Sequence, residues 1–387
     1  MDKPIYLDYA AATPVADEAV ESIKPYLKDR FYNPSAVYQA ARNVRSELEL
    51  YRSKVAQVLG AKPQEIICTA GGTEANNMAI NGVMSHFADA EIIVSSVEHE
   101  SVLEPANRYK KVIAPVDERG IVNVEALKSL ITSKTALISV MYANNEIGTI
   151  QPIKLLSELV NTVRTQRSKG GNSRPIFLHT DACQAANYLD LHISRLGVDL
   201  MTLNGGKIYA MKQSGCLYVK SGVELEPLVL GGGQEEGLRS GTENVAAISS
   251  FATMLQNVQA TRKSESERLT MLRDRLFAKL SQSIDGLNLN GHATKRLPNN
   301  LNFTIPGVDG ERLLMELDNA GLMVATGSAC TASSDEPSHV LKAIGLSNEE
   351  ASASLRITLG RQTTEDEIER AASIILGVLT DSKNLIY

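Results

Sequence analysis

The chain has 387 residues, 43% hydrophobic and 22% charged, with a formal net charge of −6. That length supports a large core, most simply one big domain and a smaller one, and the acidic balance argues against a direct nucleic-acid binder, which presents a basic face. The opening MDKPIYLDYAAATP lacks the apolar centre of a signal peptide, no apolar run is long enough to span a bilayer, and four well-separated cysteines (Cys68, Cys183, Cys216, Cys330) suit a reducing cytoplasm better than a disulfide framework or a metal site.

From about residue 60 to 220, short apolar runs alternate with amphipathic stretches. EIIVSS (91–96), TALISVMYA (135–143), RPIFLHTDA (174–182), VDLMTL (198–203) and GCLYVK (215–220) read as strands. VNVEALKSLITS and PIKLLSELVNTVRTQ between them carry apolar residues at helical spacing. The alternation predicts an α/β fold, a mainly parallel central sheet flanked by helices. Ligands of such sheets lie beyond the carboxyl ends of the strands, and His99, Asn145, Asp181, Gln184 and Lys207 all fall there. A long helical run begins near Thr242, with a bend or break expected around Thr261. Beyond it, LNFTI, GERLLMELDNA, SLRITL and EDEIERAASIILGVL read as a smaller α+β domain. The expected division is 15–255 for the large domain, with 1–14 and 256–387 forming the small one.

Lys207 follows an apolar strand and two glycines that permit a close turn. A lone lysine there is ordinarily a surface residue; held in a pocket, its amine is suited to Schiff-base chemistry. Asp181 ends a strand, where an aspartate is often only a helix cap; buried, it would face a cationic ring nitrogen, as in pyridoxal 5'-phosphate (PLP) enzymes. Gly72 and Thr73 open a helix-like run, and bare amides with a hydroxyl at a helix start suit a phosphate. Arg356 and Arg361 flank ITLG, and arginine grips a carboxylate well. Each signal is weak alone. Their joint placement at one sheet edge favours PLP chemistry.

These residues lie in YLDYAAATP, YNPSA, CTAGGTEANN, VEHESVL, MYANNEIGTIQPI, HTDACQ, NGGKIY, GGGQEEGLRSGT, TGSACTASSDEPSHVLKAIG and LRITLGRQTTEDEI. With these motifs, the chain resembles the cysteine desulfurases of the NifS/IscS type, PLP enzymes of the aminotransferase class V family, over nearly its whole length. The resemblance implies PLP-dependent transferase fold type I and a homodimer that turns L-cysteine into L-alanine. Sulfur would pass to Cys330, on a loop at about 322–336, and onward to a sulfur-acceptor protein of iron–sulfur cluster assembly or tRNA thiolation. It further implies that Lys207 carries PLP, Asp181 binds the pyridine nitrogen, Gln184 the phenolic oxygen, and His99 stacks on the ring and assists in proton transfer. Asn145 would lie beside cofactor and substrate. Gly72, Thr73 and Asn204 would bind the phosphate, helped by Thr242 from the partner subunit. Arg356 would take the substrate carboxylate.

A thiol among small polar residues also makes physical sense for this chemistry. A thiolate is the nucleophile needed, and a flexible segment lets it travel. The chain departs from the family pattern at Gly206 (usually histidine), Asn204 (usually serine), Tyr38 and Cys183, which raises the question of weaker phosphate binding. A selenocysteine lyase, another class V enzyme and a non-catalytic sulfur-transfer scaffold stay open at this point.

Overall fold

The computed structural model describes residues 3–326 and 337–381, so Cys330 and its neighbours lie outside the described residues. At the centre is a seven-stranded sheet in the order Ile66–Thr69, Gly215–Val219, Leu200–Asn204, Phe177–Asp181, Thr135–Ser139, Glu91–Ser95, Lys110–Ala114. The last five strands are mutually parallel, and Gly215–Val219 runs antiparallel to both its neighbours. Successive strand residues point to opposite faces, and both faces are apolar. Ile66, Ile93, Ile138, Leu178 and Met201 enter one core cluster, whereas Ile67, Ile92, Leu137, Leu200 and Leu217 enter another. Helices therefore cover both sides, as parallel strands require.

The two edge strands limit their exposure in different ways. Ile66–Thr69 is only four residues long, and Lys110–Ala114 opens on two lysines, a composition that protects an exposed edge.

The long helix spans Val245–Ser283 without interruption, so the break expected as one alternative near Thr261 does not occur. The Thr261 hydroxyl donates to the Asn257 carbonyl at 3.0 Å, one turn back, so it is satisfied inside the helix. The early part of this helix is buried almost all round, against Asp17–Lys28 and Gln39–Leu59. Its later part packs on Glu365–Asp381.

The carboxyl-terminal third forms a four-stranded antiparallel sheet in the order Ala325–Thr326, Ser354–Thr358, Asn300–Thr304, Asn288–Leu289. The amino terminus joins this region. Ile5–Tyr6 pairs with Leu322–Met323 in parallel, and Asp8 bridges Thr358. The segment after Asp8 then runs on to the mouth of the central sheet. That path decides the site.

Candidate active site

The turn after Leu200–Asn204 is a single 3-10 turn, Gly205–Lys207. Only glycine fits at 205, because a Cβ there would stand 2.0 Å from Ser214 Oγ. This tight turn presents Lys207 to a cleft, where Nζ donates to the Ala10 carbonyl at 2.9 Å and the Ala11 carbonyl at 2.6 Å. The amino-terminal segment thus reaches the lysine directly.

Asp181 closes its strand with 6% exposure. Oδ1 accepts from the Cys183 amide at 2.9 Å and Oδ2 from Asn76 Nδ2 at 2.7 Å, two donors that fix the orientation of the carboxyl group. The same Asn76 amide nitrogen donates to Ser101 Oγ at 2.8 Å. Ser101 Oγ lies 2.8 Å from His99 Nδ1, and the Ser101 amide donates to that nitrogen at 3.0 Å. With Nδ1 accepting from the backbone, the ring proton belongs on Nε2. Burial pushes the His99 pKa down, partly offset by Asp181, so a neutral imidazole lines the cleft.

A helix, Gly72–Met84, begins at the edge of this cleft, after Gly71 at φ 127°. No side chain caps it, so the amides of its first turn face the cleft side without an intrahelical partner. A Cβ on Gly72 would lie 2.8 Å from Cys183 Sγ and 3.3 Å from Asn204 Cβ, so backbone alone fits there. Asn204 Oδ1 accepts from the Gly206 amide at 3.1 Å, which leaves its Nδ2 as the group available to an anion. Gln184 Nε2 donates to the Ala10 carbonyl at 3.0 Å. Arg356 reaches the cleft from the small sheet.

Nine of the eleven sequence-predicted residues meet in this one cleft: Gly72, Thr73, His99, Asn145, Asp181, Gln184, Asn204, Lys207 and Arg356. Thr242 does not; it lines an adjoining cavity with Cys68 and Arg239. Cys330 lies outside the described residues. Sequence reasoning missed Asn76, Ser101 and Asp8, although Asn76 stands one helical turn after Thr73 and Ser101 directly follows the VEHE motif.

A family model for aminotransferase class V matches residues 5–371. The chain belongs to the aminotransferase class V family. Among its class V relatives is a protein of Dictyoglomus turgidum named cysteine desulfurase IscS. It is 42% identical over 382 residues, 97% of this chain and 94% of that protein. A solved NifS-like protein superposes with a TM-score of 0.89 at 30% identity, covering 97% of this chain and 99% of the other. A structure described as SspA in complex with cysteine superposes at 0.78 with 32% identity, over 92% of this chain and 98% of that one. The fold expected from the sequence, α/β with a mainly parallel sheet of type I, is therefore the observed one.

Proposed function

We propose that this class V chain is a PLP-dependent cysteine desulfurase that converts L-cysteine to L-alanine and collects the sulfur on Cys330. One observation carries the reading: the Lys207 amine, the Asp181 carboxylate and the open helix start at Gly72 converge on a single cleft. Their chemistry fits PLP. The cleft offers an amine for an aldehyde, a buried carboxylate for a protonated ring nitrogen, and uncapped amides for a phosphate. The names of these relatives, cysteine desulfurase IscS and SspA in complex with cysteine, support the same activity and substrate.

When bound, PLP supplies an electron sink that weakens the substrate's carbon–sulfur bond. Gly72, Thr73 and Asn204 would hold its phosphate through N–H and hydroxyl donors. Asp181, fixed by Asn76 and the Cys183 amide, would hold its ring nitrogen protonated. Lys207 would anchor it and carry protons at Nζ, with the neutral His99 donating from Nε2. Arg356 would orient the substrate through its carboxylate. The Cys330 sulfur would bond to the substrate sulfur as the carbon–sulfur bond breaks; the electron pair left on carbon takes a proton, giving alanine.

The other cysteines are poor candidates for that attack. Cys68, Cys183 and Cys216 are buried, and burial pushes each thiol well up, away from the reactive thiolate. Of the four cysteines in the chain, only Cys330 is then left for the role. A homodimer with Thr242 serving the partner's site, a cytoplasmic location and a protein sulfur acceptor complete the proposal. Protein supplied with PLP, L-cysteine and a thiol reductant is expected to release alanine, and the Lys207→Ala variant none. Equal release from both proteins would defeat the assignment.

A further inference from the structure

Arg356 sits within the small sheet with its side chain 2% exposed, and a buried guanidinium needs a counter-charge. Asp8 supplies one. Nη2 donates to Asp8 Oδ1 at 2.8 Å, Nη1 reaches the Asn145 carbonyl at 3.3 Å, and Nε has no protein partner. The aspartate is held firmly in place. It bridges Thr358 in parallel register, the Thr358 amide donates to the Leu7 carbonyl at 2.8 Å, and the Ala10 amide donates to Thr358 Oγ1 at 2.9 Å. The Tyr6 hydroxyl donates to the Asp8 carbonyl at 2.9 Å. Thr358 lies two residues beyond Arg356 on one strand, so anion and cation ride on the same framework.

We infer that Asp8 sets how tightly the Arg356 site holds a carboxylate, acting as the resident counter-ion that keeps substrate and product binding weak. The inference rests on the reading of Arg356 as the carboxylate site. A ligand carboxylate meeting the guanidinium where it lines the cleft completes an anion–cation–anion triad, and repulsion between the two anions subtracts from its gain. Cysteine and alanine carry the same carboxylate. Binding shared equally by substrate and product does nothing for the chemical step and delays release, so a tempered grip serves turnover.

Asp8→Asn separates charge from geometry, since the amide oxygen still accepts from Nη2. The PLP-loaded full chain is titrated with L-alanine while the visible cofactor band is followed. Alanine should bind at least roughly tenfold tighter to the variant, because one of two like charges is gone. Ethylamine, which lacks the carboxylate, should bind both proteins alike. Damage to the fold would weaken alanine binding, so a gain of affinity is not a structural side effect. If the variant is too unstable to load PLP, added acetate should raise its melting temperature more than it raises that of the wild type. Unchanged or weaker alanine binding, ethylamine tightening in step, or no greater acetate rescue overturns the role of Asp8. A wild type that binds PLP but shows no response to alanine defeats the Arg356 reading itself, which is a separate result.

Discussion

At Gly72 a side chain has no room, since its Cβ would press on Cys183 Sγ at 2.8 Å, far inside normal contact. Gly72→Ala is expected to lower stability by about 1–3 kcal/mol, the usual cost of overpacking. A Cys183→Ala background should recover most of that loss, because the atom in the way is removed. Melting curves of the two single variants and the double variant measure the coupling; strict additivity would show that the two residues do not meet. The same contact explains why Cys183, though it lines the cleft, reads as a packed thiol: it is buried, protonated and wedged against a helix start. The Asp181 network has a comparable economy. One Asn76 amide nitrogen serves both Asp181 and Ser101 while its own Oδ1 stays without a protein partner at 0% exposure, an arrangement that costs stability and serves the cleft.

Among the elements, the segment that follows Gly233 holds strain in plain view. Glu235 and Glu236 take φ of 49° and 57°, a left-handed region that favours glycine. Glu235 is anchored there: both its carboxylate oxygens pair with the buried Arg52, and one also accepts from the Cys68 amide. Glu236 makes no side-chain hydrogen bond or ion pair with the described residues, so Glu236→Gly should relieve strain and stabilise by about 0.5–1 kcal/mol. Chemical denaturation checks this, and destabilisation would mean the Glu236 side chain contributes more than its backbone loses. Elements with strong local patterns were legible in the sequence. The buried strands are apolar runs that stop at a polar residue, so Asp181 and Lys207 could be placed at strand ends from the chain alone. The edge strand Lys110–Ala114 hides behind its lysines, and the helix runs through Thr261, whose hydroxyl bonds one turn back. Asn76, Ser101 and Asp8 escaped for a different reason. The contacts that tie Asn76 to Ser101 and Asp181, and Asp8 to Arg356, span 25 to 348 positions, and local pattern carries no trace of them.

Over the whole molecule, stability should depend on pH through buried groups beside the cleft. Burial raises the Glu98 carboxyl to about 8, and its Oε2 has no protein partner. The folded chain keeps this proton up to about pH 8, whereas the unfolded chain releases it near the ordinary value of 4.5. Stability from this group therefore falls as pH rises from 4.5 to 8, and Glu146, also buried and raised, acts in the same sense. His179 opposes them on the acid side. Burial lowers it to about 4 from 6.5, so it removes stability as pH falls below 6.5. Between 6.5 and 8 the carboxyl slope stands without that opposition. Glu98→Gln, which mimics the protonated form, should flatten the decline there by about 2 kcal/mol. Melting temperatures across that window test it, and an unchanged slope would mean Glu98 is ionised in the fold.

The central claim is that an amine-anchored cofactor in this cleft loosens sulfur for one thiol to collect. Mass analysis of the PLP-loaded protein after incubation with L-cysteine tests it most directly. The expected result is a gain of one sulfur atom on Cys330, absent in the Lys207→Ala variant. A gain on Cys68, Cys183 or Cys216 instead, or no gain from the loaded wild type, would contradict it.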